Sequence, residues 1–223
     1  MLKKQATHEI DLVVERYPCL SSMREQMLQA VMTMKSAYLR GGTILTCGNG
    51  GSAADSLHIV GELMKSFVAK RSIPSEVAKE LAERFPEDAE FYLRNLQGAV
   101  PAISLVNEVS LMTAFGNDKS SELVFAQQVL GYGKPGDVLI AISTSGNSAN
   151  VLHAAKVARC MGIHVISLTG EGGGKLKDLS DILLAAPSQV TYQIQELHLP
   201  VYHALCLSLE SELFSSGECK HEI

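Results

Sequence analysis

The sequence has 223 residues, 46% of them hydrophobic and 19% charged, with a formal net charge of -5. That length and balance predict one folded domain over residues 1–223 with a real core, and exclude a disordered chain. No apolar run reaches the roughly 18 residues needed to span a bilayer, and no stretch has the clustered Lys and Arg that nucleic-acid binding needs. The five cysteines (Cys19, Cys47, Cys160, Cys206, Cys219) are odd in number and form no CxxC, so free thiols are expected. The start, MLKKQATHEIDLVVERY, has no apolar h-region. A cytoplasmic protein with no membrane and no direct nucleic-acid partner is the expectation.

In chain order, residues 8–40 read as helix. Ile10, Val13, Val14 and Tyr17, then Met23, Met27, Val31 and Met34, recur at helical spacing around a break near Pro18. Gly41-Gly42 stops the helix, Thr43 to Cys47 is β-prone, and Ser52 to Phe67 reads as helix. Residues 65–98 carry twelve charges, six of each sign. Val77, Leu81 and Phe85 share one helical face there, as do Ala89, Leu93 and Leu96. Pro74 and Pro86 stand where helix starts tolerate proline. An inserted helical hairpin over 68–98, serving as a lid or packing arm, is predicted. Four buried strands follow at Ala99–Val106, Asp137–Ile142, His164–Leu168 and Asp181–Ala185, with a helix over Ser148–Met161. A last helix spans Tyr192–Phe214, and Pro200 inside it should kink it or end a first segment. The polar tail SSGECKHEI should fray. Short apolar strands alternating with helices predict an α/β three-layer sandwich: a five-stranded parallel sheet flanked by helices.

Two loops carry the chemistry. Gly48 to Ala53 satisfies G-x-G-x-x-A, yet a dinucleotide fold wants an acidic residue about 20 positions on, at the end of the next strand. Here the charged hairpin intervenes. The second loop, ISTSGNS, leaves a strand at Ile142 and enters a helix near Ser148. Ser143, Thr144, Ser145 and Ser148 offer four hydroxyls in six residues. Hydroxyls and free amides at a helix start form an anion cradle, and a phosphate monoester fits it.

A strand, GNGGS, a helix and then ISTSGNS resembles the sugar isomerase (SIS) domain family, within it the phosphoheptose isomerase type. LTGEGGGKLKDLSDILLAAP and QELHLPVYHAL carry the resemblance over nearly the whole chain. It implies a homotetramer with sites at subunit contacts and a sugar phosphate substrate. It also implies that Glu62 and His203 serve as acid and base, and that His58, Glu62, Gln195 and His203 bind Zn2+. Substrate contacts are implied for Asn49, Gly50, Gly51, Ser52, Glu108, Ser143, Thr144, Ser145, Ser148 and Gln195. Glu108 replaces an Asp usual in the family. Lys65 and Ser66 stand where an Arg is usual, and a Lys is a point charge rather than a planar fork.

His58 and Glu62, at i and i+4, share one helix face. Gln195 and His203 stand about 12 Å and about 80° apart on an ideal helix. They meet one ion only if the side chains lean together or Pro200 bends the helix. Otherwise they serve different parts of the site or sites in different subunits. His198, about 140° around from His203, reads as structural. The competing class is a non-catalytic SIS module that binds a phosphosugar or a replication-initiator partner. The intact set of four residues argues against it.

Overall fold

The computed structural model describes residues 2–214. The polar tail from 215 on lies outside the described residues. Five strands form one sheet: β1 (Ile44–Cys47), β2 (Ala102–Ser104), β3 (Val138–Ile142), β4 (His164–Thr169) and β5 (Ile182–Ala185). All neighbours are parallel, in the order β2-β1-β3-β4-β5. The centre of the sheet is apolar on both faces, as parallel strands covered by helices require. Ile44, Val138, Ile140, Ile142, Ile166 and Leu168 face one hydrophobic core, while Leu45, Cys47, Leu139, Ala141 and Val165 face the other. The period of two along each strand divides these side chains between the layers.

The first core is closed by α1 (Lys4–Arg16), α2 (Arg24–Leu39), α3 (Gly51–Met64) and, near the end of the chain, a long helix, α9, over Thr191–Phe214. A 3₁₀ stretch, Pro18–Met23, makes the predicted break between α1 and α2. The hairpin region contains α4 (Ser75–Arg84) and α5 (Ala89–Asn95), with Pro74 as the N-cap of α4. Next come α6 (Val109–Phe115) and α7 (Val124–Tyr132), which the sequence pattern did not locate. With α8 (Ala149–Cys160), α7 covers the second core.

One expectation needs correction, and one is narrowed. The strand predicted over Ala99–Val106 is only three residues long. Val100 donates to the Leu63 carbonyl instead of a ladder, and Pro101 has no N–H to give, so pairing with β1 begins at Ala102. Pro200 does not end a helical segment, since α9 continues through it. Proline removes one intrahelical bond, and the packing of α9 on α1, α2 and α3 holds the helix across that gap. No described helix is long and apolar enough to cross a membrane.

Candidate active site

In this strand order the chain leaves β1 and β3 at adjacent points of the sheet and turns to opposite sides, which opens a crevice at their carboxyl ends. The first glycine loop follows β1 and the serine loop follows β3. Gly50 has φ +55°, a conformation that side chains resist. A Cβ on Gly48 would stand 2.5 Å from the Ser52 carbonyl oxygen, so this turn closes only without side chains. Asn49 and Asn150 then exchange two amide hydrogen bonds, of 2.8 and 2.9 Å, and clasp the first loop to the start of α8. Below the loop, Thr46, Ser56 and Ser104 share buried hydroxyl bonds of 2.7 Å, which fix α3 on β1 and β2.

The serine loop is braced from behind. A Cβ on Gly146 would meet the Gly173 carbonyl oxygen at 2.0 Å. The Asn147 side chain donates to the Ser145 carbonyl and accepts from the Lys175 amide. Ser143 is buried, and its hydroxyl lies 2.9 Å from that of Ser148. Among the described residues no protein group accepts from the backbone amides of Gly50, Gly51, Ser145 or Ser148. Backbone donors and hydroxyls around one crevice form a place for a small anion.

The residues expected to serve as acid and base lie where α3 and α9 run side by side. A Cβ on Gly51 would stand 2.4 Å from Nε2 of Gln195, so Gln195 lies against the first loop. Two turns further along both helices, the His58 and His203 rings meet with centroids 4.9 Å apart. Gln195 and His203 therefore reach different levels of one groove within one chain. Glu62 is buried, with Oε1 3.3 Å from His58 Nε2 and Oε2 held by Lys65. Phe67 packs against His203 from the other side, with ring centroids 5.3 Å apart. Burial, and then the charge of His58, push the His203 imidazole below its ordinary value, while Glu62 opposes them.

Imidazole, carboxylate and amide are donors that zinc accepts. One atom supports a missing partner: Nε2 of His203 is buried without a hydrogen bond. The arrangement itself is not chelating. His58 and Lys65 engage both Glu62 oxygens. Among the described residues, no group of three or more His, Cys, Asp or Glu is disposed to hold a metal. Zinc therefore fits the residue types and would require Glu62 to be released from Lys65.

The structure brings His58, Glu62 and His203 together, and sets Gln195 at the loop that contains Asn49, Gly50, Gly51 and Ser52. Ser143, Thr144, Ser145 and Ser148 form the neighbouring loop. Glu108 is exposed at the head of α6, past the end of β2, with no hydrogen bond to the other candidates among the described residues. Sequence reasoning missed Asn150, Asp55 and Tyr202. Asn150 lay two residues beyond the ISTSGNS motif, but its partner is 101 positions away.

A family model described as the SIS domain matches residues 97–170. The phosphoheptose isomerase of Rhodospirillum rubrum is 40% identical over 187 residues, covering 84% of this chain and 86% of that protein. That of Dechloromonas aromatica is 38% identical over 216 residues, covering 96% and 97%. Among solved structures, the phosphoheptose isomerase from Neisseria gonorrhoeae superposes with a TM-score of 0.69 at 34% identity, over 92% of this chain and 93% of that one. The Francisella tularensis phosphoheptose isomerase gives 0.72 at 31% identity, over 88% and 91%.

Proposed function

The chain belongs to the SIS-domain phosphoheptose isomerase family, and from that premise we propose that it interconverts sedoheptulose 7-phosphate and D-glycero-D-manno-heptose 7-phosphate through a cis-enediol. The observation that carries this reading is the grouping of buried Glu62 with His58 and His203 in a groove beside an anion-cradling crevice. The phosphate sits in the Ser143–Ser148 loop, aided by Ser52 and the Gly50-Gly51 backbone. Asn49 keeps the two loops in register, and Gln195 touches the sugar near Gly51. Glu62 takes the proton from C1 of the ketose and returns it to C2. His203 moves a proton between the sugar oxygens as charge develops. Its lowered affinity for protons favours the neutral ring that such a shuttle starts from.

Zinc belongs to this proposal as an ion that His58, Glu62 and His203 would hold, supported by the unpartnered Nε2 of His203; Gln195, two turns away against the first loop, would join them only if the side chains lean together. When bound it would polarise the sugar carbonyl as a Lewis acid. Glu108, longer than an aspartate, is assigned to the sugar hydroxyls at the rim. It would tune the length or stereochemistry of the sugar accepted. A homotetramer is part of the same reading, supported by exposed Leu57 and Met64 on α3 beside the site.

The test is an assay of the purified chain with sedoheptulose 7-phosphate, run with added zinc and with chelator. Aldose formation is expected. Phosphosugar binding without turnover of any ketose phosphate would contradict the isomerase reading and favour a binding module.

A further inference from the structure

Lys65 follows α3 as its C-cap, in extended backbone, and its ammonium is held on Oε2 of Glu62. The two ends of this ion pair differ. The Glu62 side chain is 12% exposed and that of Lys65 is 57% exposed. The carboxylate therefore stays in the groove, while the ammonium can swing into solvent at the modest cost of a half-exposed pair. The root of Lys65 has no such freedom. The Ser66 amide donates to the Gln97 side chain and the Phe67 amide to Glu210, both at 2.8 Å. The Phe67 ring centroid stands 5.7 Å from the ammonium. Lys65 is thus a cation on a short, fixed tether, presented to one carboxylate from within the chain, so a cation arriving from solution meets a competitor that cannot diffuse away.

The ammonium is an incomplete occupant of this place. It engages Oε2 of Glu62 and leaves Nε2 of His203 buried without a partner, although the His58 and His203 rings are in contact. A divalent metal ion takes imidazole nitrogen and carboxylate oxygen together. Metal and ammonium need the same carboxylate, and two cations at contact distance repel each other. We propose that Lys65 is a built-in competitor of the metal: its ammonium occupies Glu62 until a divalent cation displaces it, so that Lys65 sets how tightly the groove holds metal. This role rests on the reading of His58, Glu62 and His203 as the residues that hold the ion.

The test is the zinc affinity of the purified, metal-free chain, measured by calorimetry and by competition with a chelating dye. Lys65→Met removes the charge and keeps the length of the side chain. It is expected to bind zinc about tenfold tighter than the parent, the scale of one unit charge beside a partly buried ion. Lys65→Arg keeps the charge and is expected to bind no tighter than the parent. Equal affinities for the parent and Lys65→Met would overturn the proposal. So would a tightening shared by Lys65→Arg, because the gain would then come from side-chain packing and not from charge. Glu62→Gln separates this failure from that of the metal reading. If Glu62→Gln binds zinc as tightly as the parent, or if neither the parent nor Lys65→Met binds zinc, the metal reading falls and the Lys65 role falls with it. If Glu62→Gln binds weakly while the parent and Lys65→Met agree, the Lys65 role alone is overturned.

Discussion

His198 and His203 stand five residues apart on α9 and differ in environment. His198 is 1% exposed, with Nε2 3.1 Å from the Thr169 carbonyl oxygen and Nδ1 without a partner. Burial pushes its imidazole below the ordinary value of 6.5. Below that value the unfolded chain binds a proton that the folded chain refuses, so stability falls as the pH drops through 6.5 toward the lowered folded value. One such proton changes stability by at most about 1.4 kcal/mol per pH unit. Urea unfolding across this range should show the decline, and His198→Gln should flatten it; an unchanged slope in the variant would assign the decline elsewhere. The offset of His198 from His203 was legible in the sequence, because helical angle follows from numbering alone. The same arithmetic placed His58 over Glu62. It could not find Tyr202, whose hydroxyl partner Asp55 lies 147 positions away. Nor could it find what Lys65 does, since a charge beside a turn looks solvated until a carboxylate is seen facing it.

Among the elements, the root of the hairpin is the part the sequence disguised. Arg71 counted as one of twelve charges in a stretch that reads as solvent-facing, yet its side chain is 1% exposed. It pairs with Glu210 on α9 at 2.7 Å and donates to the carbonyls of Leu63 and Glu62, capping the end of α3. Glu210 also accepts from the amides of Phe67, Val68 and Ala69. One buried pair thus fixes the helix end that contains Glu62 and the segment that sets Phe67 against His203. Removing one member of such a pair leaves a buried charge without compensation, so Glu210→Gln should cost about 3–5 kcal/mol in urea unfolding. A variant as stable as the parent would show that the staple is dispensable. The helices beyond it were legible from prolines and spacing. Their packing was not: Val77, Phe85, Leu93 and Leu96 are exposed, and of the two predicted apolar stripes only Ala89 is buried. Periodicity says which residues share a face, not whether anything covers it.

At the scale of the whole molecule, the sheet order explains why distant motifs make one site. GNGGS and ISTSGNS are separated by the hairpin and by β2, yet β1 and β3 are neighbours and their loops meet through Asn49 and Asn150. The helix closing the chain then returns along α3 and brings Gln195 and His203 to opposite ends of the same groove. The parallel sheet was legible from apolar runs too short and too continuous for helices. The pairing of one loop with the other was legible through family resemblance, because strand order is a matter of long-range packing. The central claim is that this groove isomerises a phosphosugar with Glu62 as the proton-transfer group. Its most direct test measures sedoheptulose 7-phosphate binding by calorimetry and turnover by product formation, side by side, for the parent and Glu62→Gln. The account predicts retained binding and a turnover lower by about 10²–10⁴-fold. Turnover equal to the parent's would contradict it.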